Sequence, residues 1–272
     1  DLAKAFWYWA NIVRLKGDND GAIETYTRAL EIYDELGTTA ERNKVYQRSA
    51  ALTRKNIGSI YSLKKDYQKA LEFYQMAFLF DRENANSSPD NVETQMDLSF
   101  SHKSLANLFL KLNEKQKGIA EYELAREIQE KVFTIDPRNR FAAIALFRTY
   151  LGIAELHRDE GNFPKAETYY QNCKQVLARG DEEQRSVLNK IDAANYYWSY
   201  GNFFMKNAEN RKSNSEKLVN LKSARGNLTD AINIYQTLQK QNILDPAYSK
   251  NPPEIAALIE KANREISRLA EK

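Results

Sequence analysis

Small and aromatic residues recur along the chain in a fixed order. A small residue is followed four positions later by a tyrosine and seven positions later by another small residue. The four copies are Ala22-Tyr26-Ala29, Ala70-Tyr74-Ala77, Gly118-Tyr122-Ala125 and Ala166-Tyr170-Cys173. They start at positions 22, 70, 118 and 166, which gives a constant 48-residue step. Spacings of three, four and seven place the marked positions on one stripe of an α-helix.

A second small residue precedes each copy by twelve positions. These residues are Ala10, Gly58, Ala106 and Ala154. Polar and glycine-containing stretches that favour turns lie between the two halves, at 17–21, 64–66, 113–114 and 160–162. Each 48-residue repeat is therefore predicted to be an antiparallel helix pair, which needs neighbouring repeats to bury its apolar stripe.

The pattern predicts an all-α fold, a right-handed α-solenoid of about five helix pairs with a C-terminal capping helix. We expect one domain over 1–272, with repeats at about 1–37, 38–86, 87–135, 136–180 and 181–245 and the cap at 252–271. The chain opens at Asp1 inside a predicted helix and shows no signal-peptide pattern. It is therefore expected to be a fragment of a longer protein.

The fifth repeat departs from the 48-residue step. Its second helix aligns through Ala231, Tyr235 and Leu238, and Ala231 follows Ala166 by more than one regular step. The first helix is predicted to pack through Tyr200-Gly201 and Phe204. We expect the surplus residues in a polar loop near 209–215.

These repeats resemble the tetratricopeptide repeat family. Its signature, W-x2-L-G-x2-Y followed by A-x3-F, is similar to Asn56-Ile57-Gly58-Ser59-Ile60-Tyr61 followed by Ala70 and Tyr74. Gly118 and His157 depart from the pattern, and the common family period is shorter, at about 34 residues. The surplus of about 14 residues corresponds to about two more turns in each helix. The resemblance implies stacked helix pairs that bind partners on a concave face.

A narrower resemblance concerns the 48-residue period. Segments such as 97–102 and 134–139 are similar to tetratricopeptide regions of bacterial Ser/Thr protein kinases, in which they follow the kinase domain. The resemblance implies a signalling role, with a kinase domain upstream in the full-length protein. The chain itself carries no kinase motif.

Composition narrows the function classes. With 10 Gly and 6 Pro in 272 residues, turn residues are too scarce for a β-sandwich or barrel. One cysteine excludes a disulfide framework and a four-cysteine zinc site. Mean hydropathy is −0.68, and no apolar run approaches the length of a membrane-spanning helix. The fragment is therefore expected to be soluble and to make no membrane contact, and the sequence does not specify its compartment.

Catalytic chemistry is not indicated by the sequence. His102 and His157 occupy packing positions of the repeat, and Cys173 occupies a small-residue position. The segment 18–21 has some calcium-loop residues, but Lys16 and Thr27 stand where two oxygen ligands are required. We predict no enzyme activity, no catalytic residue, no metal site and no cofactor in this fragment.

The family resemblance implies a binding groove lined by the first helix of each pair. Its positions lie six and three places before, and one and four places after, the small residue of that helix. The predicted partner-binding residues are Lys4, Trp7, Asn11, Arg14, Lys55, Phe100, Lys103, Asn107, Arg148, Arg158, Trp198 and Asn202. Over the twenty groove positions, six bases face one acid, Glu155, whereas the whole chain carries +3. Lys103 and Asn107 match part of a carboxylate clamp, which Gly152 and Glu155 leave incomplete.

The leading hypothesis is a protein-interaction scaffold that binds an acidic or aromatic-acidic protein segment in this groove, as the partner-recruiting region of a signalling protein. The alternative is a structural or oligomerisation module that has no groove ligand. RNA binding is a third hypothesis, against which the small net charge and the absence of basic runs with interleaved aromatics both count. We therefore expect no nucleic-acid partner. The oligomeric state is left open.

Overall fold

The computed structural model describes residues 2–39, 43–179 and 190–271. All regular structure in these ranges is helical, which confirms the predicted all-α class of paired helices. The helices are α1 (Leu2–Leu15), α2 (Asn19–Thr39), α3 (Asn43–Leu63), α4 (Tyr67–Ser87), α5 (Val92–Lys111), α6 (Lys115–Ile135), α7 (Arg140–Asp159), α8 (Phe163–Arg179), α9 (Lys190–Glu209), α10 (Asn214–Lys240) and α11 (Asn251–Ala270), with a 3-10 helix at Pro246–Tyr248.

The turn inside each of the first four pairs has one backbone geometry, which recurs at the step of the sequence repeat. Gly17, Lys65, Asn113 and Gly161 have φ values of 86°, 64°, 62° and 76°. In each turn the next residue donates its N–H to the carbonyl five positions earlier, as at 2.9 Å between Asp66 and Tyr61. This is the Schellman ending of a helix, which satisfies carbonyls that the helix leaves unpaired.

The residue after each left-handed position lies at the start of the second helix. Asp18 Oδ1 accepts the N–H of Gly21 at 2.9 Å, and Asp66 Oδ1 accepts the N–H of Lys69 at 3.2 Å. Both side chains satisfy N–H groups that the first helical turn leaves unpaired. The segment 18–21 was predicted to be an inter-helix turn, but it is the capped first turn of α2, and Asp20 within it pairs with Lys64.

The chain divides into two compact units, unit 1 (Asp1–Ile135) and unit 2 (Asp136–Lys272). Unit 1 contains α1 to α6, and in it each helix packs against the next along the chain. One of its core clusters is made of Ala10, Ala22, Tyr26, Ile57 and Ile60, all fully buried. The repeated small and aromatic positions of the sequence thus form the contacts between neighbouring helices.

Gly58 shows why the position after a large apolar residue is small. A Cβ built at Gly58 would lie 2.8 Å from the ring of Tyr74 and 3.3 Å from the carbonyl oxygen of Ala70. The glycine lets α3 and α4 approach closely enough for the tyrosine to fill the space between them.

Unit 2 contains α7 to α11, and its second pair is the irregular fifth repeat. The loop between α9 and α10 is short, over 210–213, and α10 runs for 27 residues. The loop predicted near 209–215 is therefore present but short, and the surplus residues lie mainly in a longer second helix. A helical insertion keeps the added backbone groups hydrogen-bonded within the helix.

The packing register of the fifth repeat also differs from the prediction. Tyr235 donates its hydroxyl to Asn195 Oδ1 at 2.5 Å, and Asn195 directly follows the buried Ala194. Tyr26 makes the same contact to Asn11, which follows Ala10. Gly201 also packs closely, because a Cβ there would lie 2.7 Å from Leu228. The contact equivalent to the other repeats thus lies two turns before Gly201.

The final helix, α11, covers α10. Ile255 and Ala262 are fully buried, in two clusters that also contain Ala231 and Ala224 of α10. The apolar side of α11 faces the protein, so the amphipathic pattern at the end of the sequence forms a packed helix on unit 2.

Candidate partner-binding faces of the first helices

The predicted groove positions of α1 combine one half-buried aromatic with exposed bases. Trp7 lies edge-on to Tyr8 and Tyr26, with centroid distances of 5.3 and 6.5 Å. Its indole N–H is buried and has no hydrogen-bond partner among the described residues. Lys4 and Arg14 are exposed one turn before and two turns after it. Neither base has a carboxylate partner in the described part of the chain.

Lys55 of α3 has a different environment, because its charge is neutralised inside unit 1. Its Nζ lies 2.8 Å from Asp81 Oδ2, and the Lys55 and Asp81 side chains are 10% and 1% exposed. Ser101 donates its hydroxyl to the same carboxylate oxygen at 2.5 Å. The buried pair connects α3, α4 and α5, so Lys55 is a packing residue whose charge is already matched.

The predicted positions of α5 are Phe100, Lys103 and Asn107. Phe100 and Lys103 are half-buried and Asn107 is exposed. Tyr122 donates its hydroxyl to Asn107 Oδ1 at 2.7 Å, which fixes the orientation of the amide. The Nδ2 group therefore turns away from the tyrosine and can donate to a partner's carbonyl oxygen.

A tyrosine–asparagine hydrogen bond of this kind recurs in three pairs. It joins Tyr26 to Asn11 at 2.8 Å, Tyr122 to Asn107 at 2.7 Å and Tyr235 to Asn195 at 2.5 Å. Asn11 and Asn107, two of the predicted groove asparagines, thus connect the two helices of their pairs. Sequence reasoning missed this role. In the first and third repeats the asparagine precedes the tyrosine by the same number of residues, and this constant interval is the sequence signal for the contact.

In unit 2 the predicted groove bases are paired. Arg148 of α7 donates to both carboxylate oxygens of Asp192 on α9, with the closest contact at 2.8 Å. The Arg148 side chain is 49% exposed and that of Asp192 is 12% exposed. This two-point pair holds the two helices together while about half of the Arg148 side chain stays exposed to solvent.

Arg158 lies in a buried polar cluster at the end of α7. Its Nη1 donates to Ser199 Oγ at 3.0 Å, and Tyr170 contacts the same hydroxyl at 2.8 Å. Arg158 also pairs with Asp159 at 3.0 Å. Burial raises the pKa of the neighbouring Glu155 carboxyl, although Ser199 and Arg158 partly oppose that shift. This cluster packs the helices of unit 2.

Trp198 and Asn202 are half-buried on α9. Trp198 packs on the cluster around Tyr235 and Ile255, and its indole N–H is buried with no hydrogen-bond partner in the described ranges. Relative to Ala194, these residues lie four and eight positions on, so the register found for the fifth repeat changes their places on the helix.

The comparisons with known proteins concern the repeat and the fold. Residues 56–84 match the model of the tetratricopeptide repeat. Among solved structures, the apo form of RapI is similar with a TM-score of 0.56 at 16% identity, over 98% of this chain and 84% of that one. A Rap protein complexed with competence and sporulation factor has a TM-score of 0.56 at 12% identity, over 98% of this chain and 65% of that one. A sequence search of curated proteins finds no match.

The likeness to these two structures shows the fold alone, and it agrees with the helix pairs described above. The tetratricopeptide match lies on α3 and α4, where the sequence is closest to the family signature. The resemblance of these repeats to kinase-associated ones stays a prediction.

Three of the six predicted groove bases are internally paired within their units. They are Lys55, Arg148 and Arg158. The sequence count of +5 over the twenty positions therefore overstates the charge that a partner would meet. Among the predicted groove bases of unit 1, Lys4 and Arg14 of α1 are exposed, whereas Lys55 and Lys103 are half-buried.

The histidines and the cysteine are packed within the repeats. His102 contacts Glu121 at 2.7 Å and lies edge-on to Phe78, and His157 stacks on Tyr169. Cys173 is fully buried, and burial raises the pKa of its thiol. No group of three or more potential metal ligands occurs among the described residues. In the same ranges, no helix has both the length and the apolar composition that crossing a bilayer requires.

A pocket of about 720 Å³ lies in unit 2 between α8, α9 and α10. Its wall includes the aromatic residues Tyr196, Tyr197, Tyr200 and Phe204. Gly226 also lines it, and a Cβ there would meet no described atom within 4 Å. Sequence reasoning missed this pocket because it forms where the second helices stand apart, and the repeat pattern does not encode that separation.

Proposed function

We propose that this chain is a protein-interaction scaffold that binds a peptide or partner segment along the first-helix face of unit 1. This face is defined by Trp7, Phe100 and Asn107, with the bases Lys4, Arg14 and Lys103 beside them. The observation that carries the proposal is the exposure of Lys4 and Arg14 beside the half-buried Trp7. An aromatic anchor flanked by solvated bases suits an aromatic-acidic segment.

The amide of Asn107 supports the same assignment. Tyr122 holds its oxygen, so the exposed Nδ2 is presented in one orientation without a loss of side-chain entropy on binding. A donor of this kind suits the carbonyl oxygens of an extended segment. One of the two similar structures is a Rap protein in complex with competence and sporulation factor, and this agrees with a binding role for the fold.

The 48-residue period extends the proposal to signalling. Because the repeats resemble those of bacterial Ser/Thr protein kinases, we infer that the scaffold recruits partners for a signalling protein. Purification of the chain from cells with its bound proteins would test this extension. Recovery of components with no connection to signalling would contradict it.

The main test is an array of 12-residue peptides of acidic, aromatic-acidic, neutral and basic composition, probed with the purified chain. The chain is expected to bind the aromatic-acidic and acidic peptides best. The double variant Lys4→Glu/Arg14→Glu should weaken that binding by about 10-fold or more, because it reverses two charges beside the anchor.

The matched control is Arg28→Glu/Lys69→Glu, which reverses two exposed bases on the second helices α2 and α4. Binding should stay within about twofold of the wild type, with an unchanged circular dichroism spectrum. Lys55→Glu is unsuitable as a test, because it would place a second carboxylate beside the buried Asp81. Equal losses in the test and control variants would contradict the proposal.

A further inference from the structure

The pocket in unit 2 is a trough of about 720 Å³ between three helices. Its floor is α9, which contacts both α8 and α10 and supplies the four aromatic residues of the lining. Its walls are α8 and α10, and both contribute polar side chains. Small-molecule sites are concave, mostly apolar and about 300–1,000 Å³ in volume, with a few well-placed polar groups. The trough therefore has the size and the lining of such a site.

Tyr196 on the floor is a buried polar side chain without a partner. It lines the pocket and is 2% exposed, and its hydroxyl makes no hydrogen bond in the described part of the chain. The neighbouring rings of Tyr170 and Tyr200 both have their hydroxyls paired. A buried tyrosine hydroxyl usually finds a partner, because it has lost its hydrogen bonds to water. A ligand in the pocket would supply the acceptor that the protein does not.

The protonation state of Tyr196 suits this role. Burial raises the pKa of its hydroxyl above the ordinary value of 10. The hydroxyl therefore keeps its proton at neutral pH and can donate it in a hydrogen bond.

Gly226 on the wall is a second feature that the packing of the chain does not explain. Glycine destabilises the interior of a helix relative to alanine. Gly58, Gly118 and Gly201 have a packing reason, because a Cβ on each would lie less than 3.0 Å from a side chain. Gly226 is exposed near the middle of α10, and a Cβ there would meet no described atom within 4 Å. A glycine that faces a pocket lets a ligand approach the backbone closely.

Two charges of opposite sign line the opposite walls. Lys174 of α8 and Asp230 of α10 are exposed, and neither has a charged partner among the residues that the structure describes. Asn227 adds an acceptor beside Asp230, because its amide nitrogen donates to the carbonyl of Ser223 at 2.9 Å and its oxygen is left for a ligand. One wall thus favours an anionic group and the other favours a cationic group.

Tyr196 and Lys174 lie on the same side of the pocket. The ring of Tyr196 packs beside Tyr170 of α8 with a centroid distance of 6.3 Å, and Tyr170 precedes Lys174 by one helical turn. Both groups are donors, so together they suit a carboxylate.

We propose that this pocket binds a small aromatic zwitterion of about the size of a dipeptide. The rings of the ligand pack on Phe204 and against the backbone at Gly226. Its carboxylate accepts from Tyr196 and Lys174, and its amino group donates to Asp230. The site lies in unit 2 and uses no residue of the first-helix face of unit 1, so it is independent of the scaffold proposal.

Other occupants match the pocket less well. An uncharged apolar molecule would displace water and leave the hydroxyl of Tyr196 without a partner, which carries a cost. An internal segment of a protein has no free amino and carboxyl groups, so its backbone would match neither Lys174 nor Asp230. A free dipeptide carries both groups and can place two rings on the floor.

Isothermal titration calorimetry with phenylalanyl-phenylalanine tests the proposal. The purified chain should bind this dipeptide with a Kd of about 10–100 μM. The N-acetyl derivative lacks the charged amino group and the C-terminal amide lacks the carboxylate, so each should bind about 10-fold more weakly. Glycyl-glycine has both charges and no ring, and it should show no binding.

Gly226→Leu is the decisive variant, because it fills the open space of the pocket and should abolish binding. Leucine is a better helix former than glycine, so the melting temperature should equal or exceed that of the wild type. This readout distinguishes a filled pocket from an unfolded chain. The matched control is Gln236→Leu, at an exposed position of α10 outside the lining, which should leave the affinity within about twofold.

Three further variants assign the two ends of the ligand. Tyr196→Phe should weaken binding about 10-fold with no loss of thermal stability, because the hydroxyl has no partner to lose. Lys174→Gln should weaken binding of the free dipeptide and leave that of the amide unchanged. Asp230→Asn should weaken binding of the free dipeptide and leave that of the N-acetyl derivative unchanged.

Three outcomes would overturn the proposal. The first is no binding of the dipeptide at about 1 mM, a concentration well above the expected Kd. The second is equal affinity for the free dipeptide and its two blocked derivatives, which would contradict the charge assignment. The third is unchanged affinity of Gly226→Leu, which would place the dipeptide elsewhere on the chain. Lys4→Glu/Arg14→Glu should bind the dipeptide like the wild type, so a failure here leaves the scaffold proposal standing.

Discussion

The two units use the same repeat positions for different purposes. On α1 of unit 1, the groove-side bases Lys4 and Arg14 are exposed and have no carboxylate partner in the described residues. On α7 of unit 2, Arg148 and Arg158 pair with Asp192 and Asp159. A base at a groove position is therefore left exposed or held as a structural brace, according to whether a neighbouring residue supplies an acid.

The burial of an ion pair matters as much as its presence. Lys55 and Asp81 in unit 1 are almost completely enclosed, whereas Arg148 in unit 2 keeps about half of its side chain in solvent. Removing one partner of an enclosed pair leaves a charge that water cannot reach, and a solvated charge does not carry this cost. The comparison predicts that equivalent substitutions in the two units differ in size.

The largest expected effect is that of Asp81→Ala. It leaves the Lys55 ammonium buried without a counter-charge and removes the acceptor of Ser101, so we expect a loss of about 3–5 kcal/mol in the free energy of unfolding. Urea denaturation followed by circular dichroism measures the loss. Hydrogen exchange should place it on α3, α4 and α5.

The matched change in unit 2 is Asp192→Ala. Because Arg148 can be solvated after the change, the loss should be about 1 kcal/mol. Similar losses for the two variants would show that burial does not distinguish the pairs, and the contrast between the units would fail.

The next effect concerns the tyrosine hydroxyls. Tyr235 donates to Asn195 and accepts from Asn251 at 2.9 Å, whereas Tyr26 donates to Asn11. Tyr235→Phe should therefore cost about 1–2 kcal/mol and Tyr26→Phe about 1 kcal/mol, both measured by urea denaturation. A neutral Tyr235→Phe would show that this contact does not hold α9, α10 and α11 together.

A smaller effect is expected in the turns between paired helices. Lys65 in unit 1 has φ of 64°, and Gly161 in unit 2 has φ of 76° at the equivalent position. Lys65→Gly should stabilise unit 1 by about 0.5–1 kcal/mol, because glycine accepts the left-handed conformation without strain.

Gly161→Ala is the reciprocal change and should destabilise unit 2 by about 1 kcal/mol. Thermal unfolding by calorimetry is the measurement for both variants. Shifts of the same sign in the two variants would contradict the equivalence of the two turns.

The smallest effect concerns Glu155 in the polar cluster of unit 2. Burial raises the pKa of Glu155 in the folded state above its ordinary value of 4.5. The protonated carboxyl therefore stabilises the fold at low pH, and this contribution is lost as pH rises through the folded-state pKa. Glu155→Gln removes this loss, so the melting temperature at pH 7 should rise by about 1–3 °C. The difference should vanish near pH 4. A lower melting temperature at pH 7 would show that the carboxylate is needed there.

The sequence predicted most features of the regular repeats. The 48-residue step correctly placed the turns of the first four pairs, and the small positions Ala10 and Gly58 lie where helices touch. These features are local, because the size and spacing of side chains on one helix determine how closely a neighbouring helix can pack against it. The fifth repeat was less predictable, since a helix lengthened by insertion keeps the same local pattern as a regular one.

The sequence selected the groove positions, but it did not predict which of their side chains are paired. The sequence placed Lys55, Arg148 and Arg158 among the groove positions, and it gave no sign that Asp81, Asp192 and Asp159 would meet them. Two of these pairs join residues at least 26 positions apart. Which acid reaches which base depends on the crossing of helices that are distant in sequence, and a repeat pattern does not specify that.

Spacing along the chain is enough to specify the helix pairs, their turns and the small residues that let them pack, because these features depend on one or two neighbouring helices. Three-dimensional packing was needed to learn which bases are exposed and which tyrosines hold which asparagines. Exposure and charge pairing depend on the atoms that adjacent helices bring, and these atoms come from remote parts of the chain.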